Sequence, residues 1–156
     1  MFAVPENTVI SAVRTAPQQP TKIVREVAAD RSRWAHLLRY DPVERWAALV
    51  ERTATYEVWL MGWLPGQHTD LHDHGGAEGA FTVVSGALSE RVARRGQPGE
   101  VLHVVRTGQS RVFGPDYVHQ VANEGTDPAV SIHVFGPTRA PMVPYRLDPV
   151  DGPVQS

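Results

Sequence analysis

The sequence contains no cysteine, and this absence restricts the chemistry that the chain can perform. Disulfide bridges, zinc sites built on thiolates and cysteine nucleophiles are all excluded. Any bound metal must therefore be held by histidine, aspartate or glutamate.

The net charge is also small. The chain has 15 Lys and Arg residues and 17 Asp and Glu residues, which gives a net charge of −2 at pH 7. We expect no nucleic-acid and no membrane partner attracted by bulk charge, so a small molecule is the expected ligand.

The sequence also shows little of the patterns that are typical of a leader segment or of a long apolar run. The first residues, MFAVPENTVISAV, show no basic segment followed by an unbroken apolar run, and no stretch approaches membrane-spanning length. We therefore expect no signal peptide and a cytoplasmic protein. At 156 residues the chain has the size of a single domain with its own core.

The N-terminal third shows two different textures. Residues 1–20 hold three prolines and little periodicity, which predicts an irregular arm. Residues 21–38 place apolar side chains near helical spacing, which predicts one or two amphipathic helices that cover one face of the domain. Residues 41–50 allow two interpretations: Asp41 and Pro42 could begin another helix, or the segment could form a strand.

From Tyr56 onward the sequence is typical of β-structure. Short runs rich in Val, Trp, Phe and Thr alternate with glycine-containing turns, and this regular spacing predicts an all-β sandwich or barrel. Residues 137–156 hold five prolines, which cannot continue a central strand, so we predict a proline-rich tail packed on the barrel. The main domain is therefore assigned to residues 21–136, with the helices at its N-terminal end.

The strongest chemical signal is a group of three histidines. His72 and His74 stand two residues apart in GQHTDLHDHGG, so in an extended chain both imidazoles point to one face. His119 follows in GPDYVHQVAN, where another strand of a barrel could bring it beside the pair. The three residues predict a three-imidazole metal site with open positions, which is typical of catalysis. Imidazole binds iron, nickel, copper and zinc, so the ligands alone do not select the metal.

The other histidines and two tryptophans are given structural roles. His36 and His103 are expected to be ordinary surface or core residues, and His68 a loop residue at the rim of the pocket. Trp59 and Trp63 lie on one predicted strand and are expected to belong to the core rather than to the pocket.

The two glycine-framed histidine segments, residues 66–86 and 108–123, resemble the two cupin motifs. A cupin normally adds a glutamate as fourth ligand, but that slot falls on Gly79, and Glu78, one residue away, would face the opposite side of the strand. A cupin without this carboxylate is similar to the cysteine dioxygenase family in particular. The resemblance implies a single-domain cupin, that is, a double-stranded β-helix or jelly-roll barrel, with N-terminal helices.

The same resemblance implies a function and its ligands. It assigns Fe(II) to His72, His74 and His119, with nickel, zinc or manganese as other possible ions. The implied reaction converts a small thiol, L-cysteine or a related mercapto acid, and O2 to a sulfinic acid, in a monomer or a homodimer. Two alternatives remain: a three-histidine cupin with a different oxidative or isomerising reaction, and a non-catalytic cupin that binds a small ligand.

One departure from the family pattern concerns a tyrosine near the metal. The family's Ser-x-His-x-Tyr segment corresponds to Ser131, His133 and Phe135, so the tyrosine hydroxyl is missing. Ser131 and His133 can still form a hydrogen bond with each other. Tyr117 stands two residues before His119 and shares its face of the strand, so it is a candidate to supply the hydroxyl, with packing at the rim as the alternative.

A second departure concerns the arginine that holds the substrate carboxylate in the family. The matching position is Ala48 or Leu49, so no arginine falls in register. Arg45 and Arg52 are the candidates to replace it, because a guanidinium can hold a carboxylate in two places, with a solvated surface charge as the alternative for either. With Phe135 in place of the tyrosine, we expect weaker activity on cysteine than is usual in the family.

Overall fold

The computed structural model describes residues 19–136 and 143–156. In these two ranges one α-helix and two short 3₁₀ helices precede eleven strands. The helices are α1 (Pro20–Ala29) and the 3₁₀ helices Arg31–Arg33 and Ala35–Leu37. The strands are β1 (Trp46–Arg52), β2 (Glu57–Trp63), β3 (His72–Asp73), β4 (Gly79–Ser85), β5 (Ala87–Arg94), β6 (Val101–Arg106), β7 (Ser110–Phe113), β8 (Tyr117–Ala122), β9 (Ala129–Phe135), β10 (Val143–Asp148) and β11 (Gly152–Gln155). The arm predicted for residues 1–20 lies, except for its last two residues, outside the described part of the chain.

The strands build two antiparallel sheets, as an all-β barrel requires. Within the described ranges the first sheet has the order β1-β2-β9-β4-β7 and the second has the order β11-β10-β3-β8-β5-β6. Apolar side chains from both sheets form one cluster between them, with Phe81 and Phe113 from the first sheet and Leu88 and Val121 from the second. The predicted fold class, all-β with an N-terminal helical layer, is confirmed.

Helix α1 covers the outer face of the first sheet. It begins at Pro20, whose missing N–H is tolerated in a first helical turn, and it buries Ile23, Val24 and Val27 on one side. These side chains pack against alternate residues of β2 and β9, including Leu60. Each such burial stabilises the fold by about 1.5 to 3 kcal/mol. No helix in the described residues has the length and hydropathy needed to cross a membrane.

The ambiguous segment 41–50 is a turn followed by a strand. The Oδ1 atom of Asp41 accepts hydrogen bonds from the backbone N–H groups of Val43, at 2.8 Å, and of Glu44, at 3.3 Å. This closes a turn, and β1 then pairs with β2 along its length. The strand interpretation is therefore the correct one, and β1 forms an edge of the first sheet.

The C-terminal segment differs from the predicted tail. Residues 143–156 form β10 and β11, and β10 pairs with β3 next to the histidine pair. The prolines are accommodated at special places. Pro153 lies on the edge strand β11. The carbonyl oxygen of Pro144 accepts a hydrogen bond from the backbone N–H of Ser156, so the missing N–H of Pro144 lies where the pairing between β10 and β11 ends. Residues 137–142 lie outside the described part of the chain.

Candidate metal centre

The three histidines come together on adjacent strands of the second sheet. His72 lies on β3 and His74 directly follows it, while His119 on β8 is the register partner of His72. One ring nitrogen from each lies within 4.8 Å of the others, and the three side chains are buried. The alternation of an extended chain thus places both members of the HxH pair on the face that β8 also presents.

Hydrogen bonds orient two of these rings toward a common point. The Nδ1 atom of His72 lies 2.6 Å from the carbonyl oxygen of Asp70, and the Nδ1 atom of His119 lies 2.7 Å from a carboxylate oxygen of Glu90. Both acceptors require an N–H on Nδ1, which leaves the Nε2 lone pair for a ligand. Burial, and after it the nearby His119, lowers the pKa of His72 to about 4, so the imidazole is neutral at neutral pH. A histidine must be neutral to bind a metal ion.

One pair of ligand nitrogens has the spacing expected at a metal ion. The Nε2 atoms of His74 and His119 lie 3.0 Å apart. Two nitrogens bonded to one ion at about 2.1 Å stand about 3 Å apart when their bonds are at right angles. The ring of His74 packs against two aromatic rings, with centroid distances of 4.4 Å to Phe113 and 5.0 Å to Phe135. The donor set is therefore compatible with a divalent metal.

The position of the usual fourth cupin ligand is closed by packing. Gly79 on β4 is the register partner of Phe135 on one side and of Phe113 on the other. A Cβ atom at Gly79 would overlap the ring of Phe113 and the carbonyl oxygen of Val134. Glu78 next to it is exposed. A carboxylate side chain at position 79 would therefore not fit this packing.

We expect Gly79→Ala to destabilise the protein by about 1 to 3 kcal/mol, the usual range for overpacking a filled interior. The added methyl group must displace the ring of Phe113, which also supports His74. Urea unfolding measures the change. Gly114→Ala is the matched control, because no atom lies within 4 Å of a Cβ there. Equal unfolding midpoints for the two variants would contradict the packing argument.

The histidines line a cavity of about 130 Å³, which has room for an ion and a ligand of a few heavy atoms. Its walls are mainly apolar and carry no Asp or Glu among the described residues. The lining residues are Arg45, Ala47, Trp59, Met61, Trp63, Thr69, His72, His74, His119, Val121, His133 and Phe135. Trp59 and Trp63 were predicted to be core residues: Trp63 belongs to the buried core cluster and Trp59 packs against it, and both also line the cavity because they lie on the face of β2 that points to the interior.

Of the two predicted arginines, only Arg45 belongs to this cavity. Its guanidinium lies 5.0 Å from the centre of the Trp63 ring, and its Nη1 atom lies 3.4 Å from the sulfur of Met61. The Nε atom is buried and has no hydrogen-bond partner in the described part of the chain. Burial lowers the pKa of Arg45, an effect that Asp70 opposes. The cavity therefore contains a partly desolvated cation.

Arg52, Tyr117 and His68 lie elsewhere. Arg52 is exposed, and its Nε atom donates to Glu57 at 2.9 Å, so it does not line the cavity. Tyr117 shares the face of His119 as predicted, but its hydroxyl donates to Glu90 at 2.9 Å rather than into the cavity. His68 is exposed and its Nδ1 atom contacts the carbonyl of Thr69. The sequence pattern could not separate these positions, because the direction of each side chain depends on the packed strands.

A hydrogen-bond chain ends at His133 on the cavity wall. The indole N–H of Trp63 donates to Ser131 Oγ at 2.8 Å, and this oxygen lies 2.7 Å from His133 Nε2. The hydroxyl of Ser131 can accept from the indole and donate to Nε2, and in that arrangement His133 carries its own proton on Nδ1. Burial, followed by the charge of Arg45, lowers the pKa of His133 well below its ordinary value. His133 is a neutral side chain here.

Sequence reasoning missed Glu90, a fully buried carboxylate behind His119. It accepts from His119 Nδ1 at 2.7 Å, from Tyr117 at 2.9 Å and from Arg111 Nε at 2.7 Å. Burial raises the pKa of Glu90, but these hydrogen bonds outweigh it and leave the pKa below its ordinary value. The alternation of ALSERVA was the available signal, since it places Glu90 on the same strand face as apolar residues.

Comparisons with known proteins agree with this geometry. A protein from Thermus thermophilus is 26% identical with a TM-score of 0.59 and covers 66% of this chain and 92% of its own. A Klebsiella pneumoniae protein with a double-stranded β-helix domain is 23% identical with a TM-score of 0.61, and the match covers 70% of this chain and 86% of that protein. A cupin from Desulfovibrio desulfuricans is 20% identical with a TM-score of 0.51, and the match covers 64% of this chain and 89% of that protein. These likenesses support the cupin fold. The profile of cysteine dioxygenase type I matches residues 10–145, so the chain belongs to the cysteine dioxygenase type I family.

Proposed function

We propose that the protein is an iron-dependent dioxygenase that converts a small mercapto acid and O2 to the corresponding sulfinic acid. One observation carries the proposal: three imidazoles and a partly desolvated arginine share one small cavity. Both oxygen atoms enter the product and the sulfur supplies all the electrons, so no further reductant is required. Bound iron would supply acidity to the thiol and the electron chemistry toward O2. His72, His74 and His119 would hold it.

Arg45 would bind the carboxylate of the substrate. A guanidinium that is already removed from water has lost part of its hydration, and an incoming carboxylate restores hydrogen bonds to it. The contact of Arg45 with Trp63 fixes the direction of the side chain before the substrate arrives. The substrate would then lie between a cation and the metal site, with its sulfur toward the histidines.

The walls favour a mercapto acid without an amino group. No carboxylate of the described residues lines the cavity, so the ammonium group of cysteine would have no anionic partner there. The side chains of Trp59, Met61 and Phe135 offer apolar contact to methylene groups instead. This arrangement supports 3-mercaptopropionate as a better substrate than cysteine.

His133 would supply a neutral hydrogen-bond donor at the cavity wall. With Ser131 donating to Nε2, its Nδ1 atom would carry the proton. Phe135 stands where the family pattern has a tyrosine, and its ring is stacked near His133 at 6.4 Å between centroids. The proton on Nδ1 would therefore be offered to oxygen atoms of the ligand, and the aromatic walls would exclude water from them.

The test is oxygen uptake with sulfinate detection on iron-loaded protein and three thiols. We expect 3-mercaptopropionate to react fastest, cysteine more slowly, and cysteamine, which lacks a carboxylate, slowest of all. Comparable rates for cysteamine and 3-mercaptopropionate would contradict the role of Arg45. Iron-loaded protein that forms no sulfinate from any thiol would indicate a different reaction, and oxygen uptake that stops at one equivalent would indicate binding only.

A further inference from the structure

We infer that Glu90 is a positioning residue of the metal centre and supplies, from behind His119, the negative charge that Gly79 cannot supply as a ligand. The inference rests on the metal site of the proposed function but not on its substrate. Three donors from two sheets converge on this single carboxylate, and one of them is the ring N–H of a predicted ligand. A carboxylate at the surface would be solvated by water and would not require these three donors.

The position of Glu90 is one where packing alone would favour an apolar side chain. Its side chain is fully buried on β5, where Leu88 and Val92 flank it on the same face. Burying an ionised carboxylate costs free energy that an apolar residue would not cost, even when the partners are good. A carboxylate that accepts from a ligand histidine fixes the tautomer and the direction of the ring and makes its other nitrogen a stronger donor.

The charge balance of the metal site is the reason that the carboxylate of Glu90 matters. Three imidazoles bring no charge, so an ion held by them keeps its full charge inside an apolar cavity. In the described residues Gly79 is packed against Phe113, which closes the way for a carboxylate ligand from that side. Glu90 stands one hydrogen bond behind His119 and so places an anion close to the ion without occupying an open coordination position.

Arg111 and Tyr117 hold the carboxylate in this position. Arg111 reaches across from β7 in the first sheet, and its side chain is 30% exposed. Its Nη2 atom also lies 3.4 Å from the hydroxyl of Tyr117. The ring of Tyr117 packs edge-on against His119 at 5.4 Å. The network therefore connects the metal side of the second sheet with the surface of the first.

The test is Co(II) affinity without substrate, with the visible spectrum of bound cobalt as the second readout. Glu90→Gln keeps the shape and removes the charge, so we expect Co(II) affinity to fall about 10- to 100-fold and the spectrum to shift. Glu100→Gln is the matched control, because Glu100 is a carboxylate directly before β6 that pairs, within the described residues, with Arg91 at the surface. We expect it to leave both readouts unchanged.

The outcomes separate this inference from the proposed function. A folded Glu90→Gln protein with the affinity and spectrum of the parent overturns the role of Glu90. If Glu90→Gln does not fold, Arg111→Gln is measured instead, since it loosens the carboxylate while leaving it in place. A several-fold loss of affinity in that variant supports the inference, and unchanged affinity overturns it. A parent protein that binds neither Co(II) nor Fe(II) would instead remove the metal site of the proposed function itself.

Discussion

Replacing His72 by alanine is expected to remove the metal and to abolish thiol oxidation. The variant loses one of three imidazoles, and no carboxylate of the described residues lies where it could take over. Loss of a partner behind a ligand already lowers metal affinity about 10- to 100-fold, so loss of the ligand itself should lower it further. Metal content after dialysis and Fe(II) competition titration measure the effect.

The control for this experiment is His36→Ala. His36 is exposed in a 3₁₀ helix and lies outside the metal cavity. We expect the control to keep its metal content and its oxygen uptake. If His72→Ala retained iron at the level of His36→Ala, the three-histidine site would not be the metal site. Circular dichroism of both variants verifies that the fold is intact.

Replacing Arg45 by methionine is expected to lower kcat/KM for 3-mercaptopropionate roughly 30-fold or more. Truncating one partner of a buried charge pair costs about 2 kcal/mol or more, and each 1.36 kcal/mol corresponds to about tenfold. Methionine keeps much of the volume against Trp63 but cannot hold a carboxylate. The loss should fall mainly on KM if Arg45 binds the ground state and the transition state equally.

Two controls make the Arg45 result specific. Arg52→Met removes an exposed guanidinium that pairs with Glu57 and should leave kcat/KM unchanged. Cysteamine has no carboxylate, so its slow turnover should be nearly the same in the parent and in Arg45→Met. An equal loss for cysteamine and 3-mercaptopropionate would show that the substitution damages the metal site rather than carboxylate binding.

The fold was predictable where a local pattern determines the structure. Alternating apolar residues and glycine turns indicated strands, and the helical spacing of residues 21–38 indicated the covering layer. The C-terminal strands were not predicted, because the prolines in residues 143–156 argue against strands in general. Only the register shows that Pro144 and Pro153 avoid the positions where a donor is needed.

The candidate site was predictable only in part for a similar reason. His72 and His74 share a face by the period of an extended chain, and the second motif located His119. The direction of Arg45 depends on how β1 packs on β2, and Arg45 and Arg52 are equivalent by sequence alone. Glu90 lies in an ordinary strand pattern, and its contact with His119 depends on the pairing of β5 with β8.

The measurement that tests the central claim most directly is the mass of the product formed from 3-mercaptopropionate and isotopically heavy dioxygen by iron-loaded protein. The proposed reaction predicts a sulfinate in which both oxygens on sulfur are heavy, in proportion to the dioxygen consumed. A sulfinate with only one heavy oxygen, or disulfide as the only product while dioxygen is consumed, would contradict a dioxygenase that inserts both atoms into the thiol.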